Sequence, residues 1–269
     1  MARFGRWQSM QGGLSKCGLA GRVYGFIVGY TQVGGFARSL MFKKILARYR
    51  ISYSRVLDAG CGAGDYALYL AEHRRDATVV ATDCSVKRIE SLTAVAKHAG
   101  LTNLTAVVRE HSAIEEANTY DLVLSISSLE YIENKAEVLA NFHHALLPGG
   151  YLYLQFPFFK QRRLFPKKYF TDYEEEEGWR MKGDVTPHYD RPSLETDLQA
   201  AGFIINCIYF TTGFWGRLAF ELSHLISNMN RAYYAMSIPM LKLFACLDMI
   251  VLDKNSGDGI VALCRKPLA

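Results

Sequence analysis

Apolar residues in this chain switch between two spacings. Arg55–Asp58, Thr78–Thr82, Thr105–Val108, Asp121–Ile126, Tyr151–Phe156, Phe203–Phe210 and Gly259–Cys264 are short runs rich in β-branched, aliphatic and aromatic residues, as buried strands are. Between them, Asp65–Glu72, Ser85–Ala99, Lys135–Leu146 and Ser193–Ala201 space their apolar residues as helices do. Gly100, Pro148-Gly149-Gly150 and Gly202 supply the stops. Strand and helix in alternation predict an α/β fold, a seven-stranded and mostly parallel sheet with helices on both faces.

The alternation fails in three places. Before residue 50 the chain is rich in Gly, aromatic residues and Arg, which predicts a mobile lead-in followed by an amphipathic helix over Phe36–Tyr49. From Pro157 to Pro192 aromatic, basic and acidic patches succeed one another, including Glu174–Glu177, and this reads as a loop inserted over the strand ends. Phe214–Leu252 is apolar, rich in Met and Tyr, and predicts two or three helices. The resulting organisation is a basic N-terminal arm and cap helix at 1–50, then one domain at 51–269 with insertions at 157–192 and 212–257. The richest apolar run, Ala232–Leu241, is ten uncharged residues, shorter than a bilayer requires, and Lys242 and Asp248 interrupt the apolar stretch beyond it, so no transmembrane helix is expected. No signal peptide is expected either, because no apolar stretch of the needed length comes after the basic start.

Composition narrows the class. Half of the 269 residues are hydrophobic, enough for a full core without staples. Cys17, Cys61, Cys84, Cys207, Cys246 and Cys264 are scattered, which predicts reduced thiols in a cytoplasmic protein and no metal site. Charge is divided unevenly. Residues 1–57 hold ten Lys or Arg and no acid, while the rest of the chain carries a net −5. A second basic group, Lys160, Arg162, Arg163, Lys167 and Lys168, lies in the first insertion. Such blocks suit anionic partners, among them a peripheral contact with an anionic membrane at its inner face, or are plain solvated surface.

The chemistry concentrates at Val56-Leu57-Asp58-Ala59-Gly60-Cys61-Gly62-Ala63-Gly64-Asp65. A buried strand ends in an acid, and a glycine-rich turn then opens a helix. Gly60, Gly62 and Gly64 let the backbone approach a ligand and take positive φ. Asp58 can accept a hydrogen bond from an amino-acid ammonium, directly or through water. Asp83 ends the second strand 23 residues beyond Gly60, where an acid can take both hydroxyls of a ribose; read alone, it is equally placed to cap the next helix. A dinucleotide fingerprint would need Gly or Ala at residue 65, where this chain has Asp.

This segment resembles motif I of the Rossmann-like (class I) S-adenosylmethionine-dependent methyltransferases, whose pattern is V-L-D-x-G-C-G-x-G. The resemblance covers residues 50–156 and, more loosely, 186–211; it leaves 1–49, 157–185 and 212–257 unaccounted for. It implies S-adenosylmethionine as cofactor, held by Asp58, Gly60, Cys61, Gly62 and Gly64, with Asp83 on the ribose and Cys84 beside the adenine. After the third strand the family carries Asp-Ala against the adenine amino group; here Glu110-His111 stand there, a longer acid and an imidazole. Ser125 closes the fourth strand and joins the cofactor set. Leu129-Glu130-Tyr131 occupies the place of the family's L-E-H, and Leu147-Pro148-Gly149-Gly150 looks like its terminal turn. The Pro-Pro-aromatic signature of base-modifying DNA methyltransferases is absent, which argues against a nucleic-acid substrate.

Methyl transfer is an in-line displacement in which the protein mainly positions the reactants. An acceptor atom of high pKa also needs a base. His188 in the first insertion is the first candidate, then His111, Glu130 and Tyr189. The Met-rich second insertion and the basic arm point to a small, apolar or amphiphilic acceptor resembling a lipid or quinone. The alternatives are a non-catalytic S-adenosylmethionine-binding partner or sensor, and an RNA methyltransferase using the basic arm.

Overall fold

A computed structural model describes residues 4, 7, 18–29, 31–157, 163–166, 189–250 and 256–268. Seven strands form one sheet: β1 (Arg55–Ala59), β2 (Thr78–Asp83), β3 (Leu104–Val108), β4 (Tyr120–Ile126), β5 (Leu146–Pro157), β6 (Ile204–Thr211) and β7 (Gly259–Arg265). Their order is β3-β2-β1-β4-β5-β7-β6. The ladders from β3 to β5 are parallel, and β7 runs antiparallel between β5 and β6. The helices are α1 (Gly18–Val28), α2 (Val33–Arg48), α3 (Asp65–His73), α4 (Val86–His98), α5 (Lys135–Ala145), α6 (Arg191–Ala200), α7 (Phe214–Met229) and α8 (Arg231–Ile250).

Period-two alternation along the strands builds two cores. Val56, Leu122, Leu124, Tyr153, Val261 and Leu263 face one side, with Met41 and Phe42 of α2, Leu68 and Leu70 of α3, and Leu92 of α4. Leu57, Val123, Leu152, Leu154, Ile260 and Ala262 face the other, with Leu139 and Phe142 of α5 and Leu194 and Leu198 of α6. Strands buried on both faces read as continuous apolar runs, which is why the sheet was legible without a polar–apolar alternation. Asn134 caps α5 by accepting from Glu137 N at 3.3 Å, and Asp190 caps α6 by accepting from Ser193 N at 2.9 Å.

Three expectations need correction. The lead-in contains a helix, α1, whose Tyr24 Oη donates to Ala235 O at 2.6 Å and so ties it to α8. The strand expected from Tyr151 begins at Leu146, because the Pro148-Gly149-Gly150 turn remains within the strand and carries a register shift against β4. The second insertion is two helices packed against α2 through Val33, Ala219, Leu241 and Ala245. Within it, Ala232–Ile250 is long and apolar enough to cross a membrane, with mean hydropathy 1.3 and 22% of the span buried. The two charges expected to interrupt it are turned inward: Lys242 Nζ donates to Val28 O, and Asp248 accepts from Gly213 N at 2.9 Å.

Candidate active site

The parallel strands β1 to β4 end at one edge of the sheet, where open α/β folds bind ligands. The turn after β1 is fixed by its backbone. Gly60 N and Cys61 N both donate to Thr82 O at 2.8 Å, and Gly64 N donates to Cys61 O at 2.8 Å. Gly60, Gly62 and Gly64 take φ of 72°, 55° and 80°, the left-handed region that side chains avoid. A Cβ at Gly60 would collide with Ser128, and one at Gly64 with Leu92. At Gly62 the nearest such atom is Arg88 Nη1, 3.9 Å away. The loop is therefore packed against its neighbours at both ends and open in its middle, a cradle for a ligand.

Two buried acids flank the cradle. Asp58 Oδ2 accepts from Ala67 N at 3.1 Å, and burial pushes its carboxyl up to about 7, with the charges of Asp83 and Asp65 adding to the shift. Such a group gains from a cation placed beside it. Asp83 accepts from Gly62 N through Oδ2 and from Ser85 N through Oδ1, both at 2.9 Å, and Arg88 Nη1 stands 3.7 Å from Oδ2. A carboxylate has roughly four acceptor positions, so two remain for a ligand. Ser85 makes no side-chain cap to α4; Asp83 steadies that turn and the glycine loop together.

At the ends of β3 and β4 a second polar group assembles. Ser125 Oγ and Ser128 Oγ lie 2.8 Å apart, Ser128 Oγ donates to Ala59 O at 3.3 Å, and His111 Nε2 is 3.3 Å from Ser128 Oγ. Burial lowers the His111 pKa and keeps the ring uncharged. Ser127 holds φ of 52°, a positive value for a residue with a side chain, at the turn that carries Ser128 inward. Cys61 is buried and its thiol raised by burial, Cys84 is exposed beside Asp83, and Glu110 is exposed at the start of a single turn, His111–Ala113.

All ten residues expected at the cofactor thus lie along this edge. Sequence reasoning missed Ser128, which joins His111 to β1, and Arg88, one turn into α4. The repeated Ser127-Ser128 after the fourth strand was the available sign for the first; nothing in the sequence singled out the second.

The proposed bases are arranged differently. His188 lies outside the described residues. Tyr189 is buried against Phe156 and donates to Asp197 Oδ2 at 2.7 Å, and burial together with that carboxylate raises its pKa. A phenol held in this way is a fixed donor, which removes Tyr189 as a base. Glu130 is buried in the turn Leu129–Tyr131 and acts electrostatically on Lys135, whose Nζ sits 5.3 Å over the Tyr189 ring. Glu130 and Tyr189 therefore belong to one cluster between α5 and α6. Among the described residues no group of three or more His, Cys, Asp or Glu is placed to hold a metal ion.

One buried acid ties the second insertion to residues 164 and 165 of the first. Glu221 of α7 accepts from Leu164 N at 3.0 and 3.1 Å and from Phe165 N at 2.8 Å. Arg217 pairs with Asp258 through two hydrogen bonds, at 2.5 and 2.8 Å. His224 lies one turn beyond Phe220, its ring 4.7 Å away, with a pKa lowered by burial and by Arg163. On the other side Phe220 approaches Gly34 of α2, one turn before Arg38, whose positive charge acts on the buried Tyr66 hydroxyl at the start of α3.

Comparison with known proteins agrees with this geometry. The family described as "Methyltransferase domain" matches residues 34–207. Trans-aconitate 2-methyltransferase of Deinococcus radiodurans is 32% identical over 106 residues, 39% of this chain and 38% of that protein. A ubiquinone biosynthesis O-methyltransferase of Vibrio parahaemolyticus is 32% identical over 101 residues, 37% of this chain and 42% of that protein. The matched stretch thus spans about two fifths of these curated relatives. Among solved structures, phosphoethanolamine N-methyltransferase 2 of Haemonchus contortus, in complex with S-adenosyl-L-methionine, superposes with a TM-score of 0.63 at 19% identity, covering 99% of this chain and 60% of that one.

Proposed function

The chain belongs to the methyltransferase-domain family, and on that premise we propose that it transfers a methyl group from S-adenosylmethionine to a small apolar or amphiphilic acceptor of lipid- or quinone-like character. The observation that carries the donor assignment is the open cradle at Gly62 between two buried acids, Asp58 and Asp83. The group fits the residues present. Gly62, at the open middle of the loop, leaves room for its tail, Asp58 offers a carboxylate to its ammonium, and Asp83 has two acceptor positions for the ribose. His111, Cys84 and Glu110 line the side on which the adenine would lie.

Bound there, S-adenosylmethionine supplies a methyl group on a sulfonium leaving group. The protein then has three tasks. The glycine loop and the two acids orient the donor, which converts an encounter into a fixed approach. The insertions, joined through Glu221 and the backbone of Leu164 and Phe165, would close over the acceptor and exclude water. A base takes the acceptor's proton where the acceptor atom is of high pKa. His188 and His111 fill that role in this reading; His111 is uncharged, the form that accepts a proton, and Ser128 orients its ring.

The apolar acceptor is supported by the Met- and aromatic-rich helices that form the cap, and by a relative, named above, that acts in ubiquinone biosynthesis. Incubating the protein with methyl-labelled S-adenosylmethionine and either a lipid or an aqueous cell extract tests it. Label is expected in the lipid fraction. Label only in the aqueous fraction or in RNA would refute the acceptor class, and tight donor binding with no labelled product would make the protein a non-catalytic binder.

A further inference from the structure

Helix α8 presents its faces in the reverse of the usual order. A surface helix normally buries its apolar stripe and exposes its charges. From Ala232 to Ile250 the charged residues of α8 are Lys242 and Asp248, and both point inward. Lys242 Nζ lies 4.7 Å over the Phe36 ring and donates to Val28 O, while Asp248 accepts from Gly213 N. Outward stand Tyr233, Met236, Met240, Leu243 and Ile250, between 48% and 78% exposed, preceded by Met229 at 78%. From Tyr233 onward their spacing of three, four, three and seven keeps them on one line of α8, about 25 Å long from Tyr233 to Ile250. Helix α1, tied to α8 through Tyr24 and Val28, extends the apolar surface with exposed Leu19 and Val23. A continuous exposed apolar surface of this length marks a site of interaction.

The charge around the stripe identifies its partner. No acidic residue occurs in the first 57 residues, which supply both α1 and α2. At the far end of α8, Lys44 Nζ of α2 donates to Met249 O at 3.0 Å; Lys44 is exposed, as is Arg48 one turn further along α2. An apolar strip with a cationic end, carried by a segment without acids, is complementary to the acyl chains and headgroups of an anionic bilayer. Crossing the bilayer would strip Lys242 and Asp248 of their partners and α8 of its packing on α2 and α7.

We propose that α8, together with α1, lies flat in the surface of an anionic membrane and docks the enzyme there. This surface is a separate claim from the identity of the acceptor, and it holds for any methylated substrate. Flotation of the full chain with vesicles tests it, comparing phosphatidylcholine alone with phosphatidylcholine containing phosphatidylglycerol. The protein is expected to float with the anionic vesicles, to be released by salt, and to bind neutral vesicles at least about tenfold less. The double variant Met236→Glu/Met240→Glu is expected to lose anionic binding by about tenfold or more while keeping the wild-type affinity for S-adenosylmethionine. Should that variant fail to fold, Lys44→Glu/Arg48→Glu decides in its place, again with reduced flotation at unchanged donor affinity. Three results would overturn the proposal: no flotation of the wild type, equal flotation of the variants, or a dimer in solution that the Met substitutions dissociate. Because donor affinity is measured in parallel, failure of the membrane claim is distinguishable from failure of the methyltransferase reading.

Discussion

The donor edge and the cap are held together by different means. At the donor edge the fixed points are backbone groups close in sequence or on adjacent strands: Gly60 N, Cys61 N, Gly62 N and Ala67 N all bond to acceptors on β1 or β2. In the cap the fixed points are charged side chains whose partners lie tens of residues away, Glu221 to Leu164 and Phe165, Arg217 to Asp258, and Asp248 to Gly213. The first arrangement gives one rigid geometry on which a donor can be placed. The second gives a cover whose parts depend on a handful of buried charges, each expensive to leave unpaired.

Four perturbations separate the two regions, in falling order of effect. Asp83→Ala removes two charged acceptor positions for the ribose and releases the glycine loop; S-adenosylmethionine affinity is expected to fall about a hundredfold, roughly 1.5 kcal/mol for each charged hydrogen bond, read by calorimetry. Arg217→Ala leaves the largely buried Asp258 without its cation; a loss of about 2 kcal/mol in unfolding free energy is expected by chemical denaturation, with donor affinity within twofold of wild type. A large fall in donor affinity in that variant would show that cap and donor edge are one cooperative unit.

The third perturbation is pH. The Asp58 carboxyl, raised to about 7 by burial, must be ionised to receive an ammonium. Donor affinity is therefore expected to weaken about tenfold between pH 8 and pH 6, and Asp58→Asn should flatten that profile. The sign for stability is opposite. A raised carboxyl stabilises the donor-free fold below its unfolded value of about 4 and loses that contribution as pH rises through about 7. Melting in the absence of donor should show this slope, and saturating donor should abolish it. The smallest effect belongs to Ser128→Ala, which takes the partner from His111 Nε2 and costs about 1 kcal/mol. A shift of the kcat pH profile would mark His111 as acting on protons, whereas a change confined to donor affinity would mark it as adenine packing.

Legibility in the sequence divides along the same line. The strands and helices between residues 55 and 157 were readable to within a few residues at each end because strands buried on both faces write themselves as apolar runs, and the glycine loop has a composition that few other structures need. Where the reading stopped at Tyr151, the strand continues back to Leu146, since a proline and two glycines can remain within a ladder that tolerates a register shift. The cap was legible only as apolar and helical. Nothing local distinguishes Lys242 and Asp248, turned inward, from charges that break a span, and nothing local pairs Glu221 with a backbone 57 residues away. Tyr189 looked reactive as a residue type beside His188, and it is a core phenol bonded to Asp197.

The measurement closest to the central claim is calorimetric titration of S-adenosylmethionine into the intact protein and into Asp83→Ala at pH 8, where Asp58 is ionised. The cradle predicts saturable one-site binding, lost about a hundredfold in the variant. Equal affinity in both proteins, or no binding by the intact chain, would contradict a donor site at the ends of β1 and β2.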